Sequence, residues 1–127
     1  MILVDTSVWI NHLREGNPML ADLLENDAVL AHPWVTGELA LGNLTNREEI
    51  LRLLQDLPQA SVAEDRELLR LIAQQHLHGT GIGYVDAQLL AASKLTPDTA
   101  LWTADKRLST LATHLGVSFA PRHRAEP

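Results

Sequence analysis

Four acidic side chains stand where the surrounding sequence predicts burial. Asp5 directly follows the apolar run Ile2-Leu-Val4; Glu38 lies inside Trp34-Val-Thr-Gly-Glu-Leu-Ala-Leu41; Asp86 lies inside Tyr84-Val-Asp-Ala-Gln-Leu-Leu-Ala-Ala92; Asp105 comes two residues after Ala100-Leu-Trp-Thr103. The chain has 16 Asp and Glu in all, and most others fall in solvated runs such as Glu48-Glu49 or Asp65-Arg66-Glu67. At helical spacing Glu38 shares a face with Trp34, Val35, Leu41 and Gly42, and Asp86 shares one with Ile82, Leu89 and Leu90, so both are expected to point inward. A lone carboxylate there costs several kcal/mol in desolvation unless it is paired or binds a cation.

Taken singly, Asp5 and Asp105 each suit a helix N-cap, and Glu38 and Asp86 each suit a buried acid satisfied by an arginine or a helix end. One shared cause accounts for all four more economically: a carboxylate cluster. Such a cluster cannot stay ionised uncompensated, because like charges close together raise one another's pKa. Mg²⁺, or Mn²⁺ in its place, compensates it with oxygen ligands and commonly bridges to phosphates. The chemistry implied is phosphodiester hydrolysis by an activated water. Zinc fits less well, since no histidine pair has the spacing H-x-x-x-H.

Other features carry blander readings. Gly79, Gly81 and Gly83 complete no phosphate-binding fingerprint and read as a loop. Asp5-Thr-Ser7 lacks the second aspartate of an aspartyl-phosphate phosphatase. His76, His78 and His114 suit helix ends, and Trp9, Trp34 and Trp102 suit the core. Lys94, Lys106, Arg107, Arg122 and Arg124 gather in the C-terminal third, where a solvated surface is the default and a phosphate-tracking rim the alternative.

The elements needed to position these acids are short. Strands are predicted at Ile2–Val4, Ala28–Ala31, Ala60–Val62, Ala100–Thr103 and Val117–Phe119. Helices are predicted after Asp5 to Gly16, from Pro18 to Leu24, from Pro33 to Leu41, from Ile50 to Leu57, from Ala63 to about His76 with Leu68, Leu69 and Ile72 inward, from Tyr84 to Leu95, and from Lys106 to Leu115. Short apolar strands alternating with helices indicate an α/β fold, a parallel sheet covered on both sides, with its site beyond the strands' carboxyl ends.

With 127 residues, 46% of them hydrophobic, the chain suits one domain that buries an adequate core unaided. It has no cysteine, which excludes thiol catalysis, Cys-ligated zinc and iron–sulfur clusters. A net charge of −6 argues against gripping nucleic acid by bulk charge. No apolar run approaches the roughly 20 residues of a membrane span, and the start at Met1 lacks the basic segment of a signal peptide. The expectation is a cytoplasmic protein with a domain over residues 1–120 and a flexible C-terminal tail over 121–127.

Val4-Asp-Thr-Ser-Val-Trp-Ile10, Val35-Thr-Gly-Glu-Leu-Ala-Leu-Gly42, Gly81-Ile-Gly-Tyr-Val-Asp-Ala-Gln-Leu-Leu-Ala-Ala92 and Leu101-Trp-Thr-Ala-Asp-Lys-Arg-Leu108 together resemble the PIN domain, and within it the VapC toxins of bacterial type II toxin–antitoxin pairs. The resemblance spans essentially the whole chain, in the family's motif order. It implies a three-layer α/β/α sandwich with a short central parallel sheet, and Mg²⁺- or Mn²⁺-dependent endoribonuclease activity on tRNA, rRNA or mRNA. It also implies a homodimer and inhibition by a VapB-type antitoxin. Carried over by position, the catalytic and metal-binding acids are Asp5, Glu38, Asp86 and Asp105, with Thr6 and Thr103 as nearby hydroxyls. Many relatives carry a further acid where this chain has Arg107, so the side that would hold a second metal is altered here. Arg107 and the adjacent Lys106 are candidates for RNA contact. The competing functions are a DNA nuclease or other metal phosphohydrolase and, from a different class, an inactive PIN-like binding module.

Overall fold

The computed structural model describes residues 1–121. Of the tail expected at 121–127, only Pro121 lies within them; Arg122 and Arg124 lie outside the described residues. In chain order the elements are β1 (Ile2–Val4), α1 (Thr6–Glu15), α2 (Pro18–Glu25), β2 (Val29–Leu30), α3 (Pro33–Leu41), α4 (Arg47–Asp56), α5 (Asp65–Gln74), α6 (Tyr84–Leu95), β3 (Ala100–Trp102) and α7 (Lys106–His114). Among the described residues no helix is long and apolar enough to cross a membrane.

The sheet is parallel and ordered β2-β1-β3. Ile2 pairs with Val29 and Ala100, Leu3 with Leu30 and Leu101, and Val4 with Trp102. Leu3 and Val4 are both fully buried. Since successive strand residues point to opposite faces, both faces of the sheet are covered, which is why Ile-Leu-Val shows no polar alternation. In place of the strands expected at 60–62 and 117–119 there are isolated parallel bridges, Gln59 to Ala31 just before the first and Ser118 to Leu101 within the second. Among the described residues no strand pairs on their outer sides, so these segments gain little from staying extended.

Local signals place the helices. Gly16, at a φ of +77°, ends α1 in a backbone conformation that favours glycine. Asn17 Oδ1 accepts from the Leu20 N–H at 3.1 Å and Pro18 opens α2. α6 is the central helix, buried from Ala87 to Ser93. Its alanines permit close approach, and the buried Gln88 fixes it by accepting from the Ala63 N–H at 2.7 Å and donating to the Ala63 carbonyl at 3.1 Å.

Two inward faces differ from expectation. In α5, Leu68 is buried with Leu71 and Ile72 packed beside it, whereas Leu69 is 60% exposed. Three- and four-residue spacing from Leu68 selects Leu71 and Ile72, and Leu69 turns onto the next face. In α3, Val35 and Leu39 are the buried pair, Glu38 is exposed and Leu41 is 90% exposed. α3 is apolar around much of its circumference, so composition could not reveal which stripe packs against α1 and α4.

Candidate active site

Asp5 follows β1, the strand from which the chain passes to β2 on one side and beside which β3 lies on the other. Such a reversal point opens a crevice at the carboxyl ends of the strands. The Asp5 N–H donates to the Trp102 carbonyl at 2.9 Å, extending the β1–β3 ladder to the site itself. Asp5 is only 5% exposed, and its side chain does not cap α1. Instead Oδ2 accepts from the Ser7 hydroxyl at 2.8 Å and the Thr103 hydroxyl at 2.7 Å. Those hydroxyls are held in turn: Thr103 Oγ1 accepts from the Asp105 N–H and Ser7 Oγ from the Ala104 N–H, both at 3.0 Å. The turn after β3 is thereby fastened to the end of β1.

Asp105 does cap a helix. Its Oδ1 accepts from the N–H groups of Arg107 at 2.8 Å and Leu108 at 3.2 Å, at the start of α7. Capping and a charged role coexist, because the Asp105 charge is felt at Asp86. Asp86 is half-buried in the first turn of α6, reaching back to the Gly83 N–H at 3.4 Å. Burial raises its pKa above the ordinary carboxylate value; the charge of Asp5 adds to the rise, those of Asp105 and Glu38 add less, and the Gly83 N–H opposes it. Glu38, although exposed, is tied to the site through Thr6, whose hydroxyl donates to Oε1 at 2.7 Å.

No basic side chain among the described residues forms an ion pair with these acids. Among the described residues the only ion pair joins Arg66 to Glu64 at the surface, so neither Glu38 nor Asp86 is satisfied by an arginine. Lys106 and Arg107 are exposed. Arg107 forms no ion pair with the acids, and its Nη1 donates to the Gly81 carbonyl at 3.5 Å. Among the described residues no three Asp, Glu or His side chains converge into a ready-made metal cage. An all-oxygen donor set of separated carboxylates suits a hard cation that keeps several of its waters, as Mg²⁺ does, better than a fully dehydrated one.

Two residues outside the expected set contribute. Ser7 bridges the strand ends, and its signal was an Asp-x-Ser spacing at a helix start. His32 follows β2, is fully buried, and caps α3 by accepting from the Trp34 N–H at Nδ1, 3.0 Å away. Its Nε2 has no hydrogen-bond partner among the described residues, and the neighbouring Gln88 uses its amide oxygen and one of its two N–H groups on Ala63. Burial lowers the His32 pKa below 6.5 despite the opposing influence of Gln88. Trp9 and Trp102 are core residues as expected, but Trp34 is only partly buried.

A groove of about 540 Å³ runs along α1, α3 and α4 up to Glu38, lined on its apolar side by Ile10, Leu13, Leu39, Leu44 and Ile50.

Residues 2–113 match the PIN domain. The chain is also similar to Ribonuclease VapC32 of Mycobacterium tuberculosis, in strains CDC 1551 / Oshkosh and ATCC 25618 / H37Rv. In each case the two are 47% identical over 120 residues, covering 94% of this chain and 97% of the relative.

Proposed function

The chain belongs to the PIN-domain family, and on that premise we propose that it is a divalent-metal-dependent endoribonuclease, the toxin of a toxin–antitoxin pair acting in the cytoplasm. The observation that carries this reading is Asp86, whose carboxyl is disfavoured in its charged form by burial first, then by the charge of Asp5 and less by those of Asp105 and Glu38, while among the described residues it forms no ion pair. Asp5, Glu38, Asp86 and Asp105 are the residues that would hold the ion, Mg²⁺ or Mn²⁺. When bound, such an ion supplies the positive charge that lowers the pKa of a water and offsets charge building on the phosphate.

The protein's own part is positioning. Ser7 and Thr103 occupy one oxygen of Asp5 and fix the carboxylate plane. Thr6 holds Glu38, on a different helix, toward the strand ends. The Asp105 cap spends Oδ1 on α7. These fixed donors reduce the reorganisation required when a phosphodiester arrives. Arg107 and Lys106 stand at the exposed start of α7, where they would meet RNA phosphates. The groove beside Glu38 suits an apolar segment of a VapB-type antitoxin, and the active species in this reading is a homodimer.

The experiment is a pair of titrations on the purified chain, thermal stability and RNA cleavage against Mg²⁺ and Mn²⁺. Both should rise with added metal in the wild-type chain, and neither should respond to metal in Asp5→Asn. Cleavage that persists in a chelator would remove the metal-dependent reading.

A further inference from the structure

The chain has three tryptophans, one tyrosine and one phenylalanine. Trp9 and Trp102 are in the core, and Phe119 packs on Trp102 with ring centroids 5.4 Å apart. The other two stand together outside it. Trp34 is partly buried, Tyr84 is 43% exposed, and their centroids are 5.8 Å apart with planes inclined by 40°.

Their place in the chain matters more than their proximity. Trp34 is in the first turn of α3, and Glu38 lies four residues further on the same helix, a rise of about 6 Å and close to the same face. Tyr84 is the first residue of α6, in the same turn as Asp86. The aromatic pair therefore spans the N-terminal ends of the two helices that carry Glu38 and Asp86.

Both rings are fixed. Trp34 is backed by the buried His32 in an edge-on contact, centroids 6.2 Å apart at 84°, and the Tyr84 hydroxyl donates to Asp65 Oδ1 at 2.9 Å. Anchored at its tip to the start of α5 and braced by Trp34, Tyr84 keeps an aromatic ring in solvent without the freedom to collapse onto the core. Burying a phenol fully would strand its hydroxyl, but here the hydroxyl already has a partner, so exposure of the ring is not required to hydrate it.

We propose that Tyr84, braced by Trp34, is a stacking platform for a nucleobase of single-stranded RNA next to the phosphodiester held at the acids. The proposal rests on the ribonuclease reading and adds a base-binding subsite to it. In a chain of net charge −6, stacking supplies affinity that phosphate contacts alone do not. Every base has a π-face, so the platform selects unpaired nucleotides and is tolerant of sequence.

The test uses the full chain carrying Asp5→Asn, with fluorescein-labelled oligoadenylate and an abasic oligomer of equal length that keeps every phosphate. The Asp5→Asn protein should bind oligoadenylate about five- to a hundredfold more tightly than the abasic oligomer. Adding Tyr84→Leu should collapse that difference, and Tyr84→Phe, which keeps the ring, should preserve it. Equal affinity for the two oligomers before any change at Tyr84 overturns the platform without needing a further variant. A difference that survives Tyr84→Leu in a chain that melts normally also overturns it. Failure to bind either RNA, with binding of single-stranded DNA, removes the ribonuclease reading and the platform with it.

Discussion

The Thr103 hydroxyl donates to Asp5 Oδ2 at 2.7 Å, joining residues 98 positions apart in the chain. The link exists because β1 and β3 are neighbours in register, Val4 opposite Trp102, so the residue after each strand emerges beside the other. Thr103→Val keeps the shape and deletes the donor. It should cost about 1 kcal/mol of stability and raise the Mg²⁺ concentration needed for cleavage, because Asp5 and the Asp105 turn lose their shared hydroxyl. Urea melts and an Mg²⁺ titration of the variant check both; an unaltered Mg²⁺ requirement would show that Thr103 does not position Asp5.

Asp86→Asn should stabilise the metal-free protein while abolishing cleavage. The folded-state pKa of Asp86 is raised above its ordinary 3.8, so the folded chain holds this proton more tightly than the unfolded one. Its ionisation therefore removes stability as pH rises from about 3.8 through the raised value, and the whole penalty is present at neutral pH. The variant's melting temperature should exceed wild type by a few degrees at pH 7 without metal, with the gap closing in acid. Added Mg²⁺ should then stabilise wild type more than the variant.

Glu38→Gln is expected to lose activity with stability changed by less than about 0.5 kcal/mol, as for other exposed sites. Paired melts and cleavage assays separate the roles: a large loss of stability with activity retained would make Glu38 a structural acid.

Asp5 and Asp105 are legible in the sequence as acids at the sheet's carboxyl edge, because each follows a short apolar strand. The helical pattern points Glu38 inward, whereas α3 buries Val35 and Leu39 and leaves Glu38 exposed, joined to the residues after β1 by the Thr6 hydroxyl. Ser7 and His32 are not legible in the sequence, because one small hydroxyl and one histidine beside a proline resemble ordinary helix starts until β1, β2 and β3 bring their ends together. The outer edge strands are illegible for a related reason: local apolar character does not say whether a further strand will pair outside.

His32 gives the fold a pH dependence. Its pKa is lowered below 6.5 by burial, and its Nδ1 must be unprotonated to accept from Trp34. The unfolded chain thus binds the proton more readily, and stability present above about pH 6.5 is lost as pH falls toward the lowered folded value. His32→Asn offers an oxygen to the same N–H and cannot titrate. Its unfolding free energy should vary less than that of wild type between pH 7 and pH 5; equal slopes would assign the pH dependence to other groups.

Arg107→Ala should reduce the salt dependence of RNA binding, lowering the slope of log K against log salt by about 0.7 for one phosphate contact on a single strand. Mg²⁺ affinity should be unchanged, since the guanidinium donates to the Gly81 carbonyl and forms no ion pair with the acids. A marked gain in Mg²⁺ affinity would place Arg107 among the carboxylates.

Metal-dependent RNA cleavage at these carboxylates is checked by sequencing RNA ends after treating total bacterial RNA with the purified chain, with Mg²⁺, with chelator, and with Asp5→Asn in its place. Discrete new ends should form with Mg²⁺ and disappear in both controls. The same ends generated by Asp5→Asn or in the presence of chelator would show that these carboxylates and their metal do not cleave the RNA.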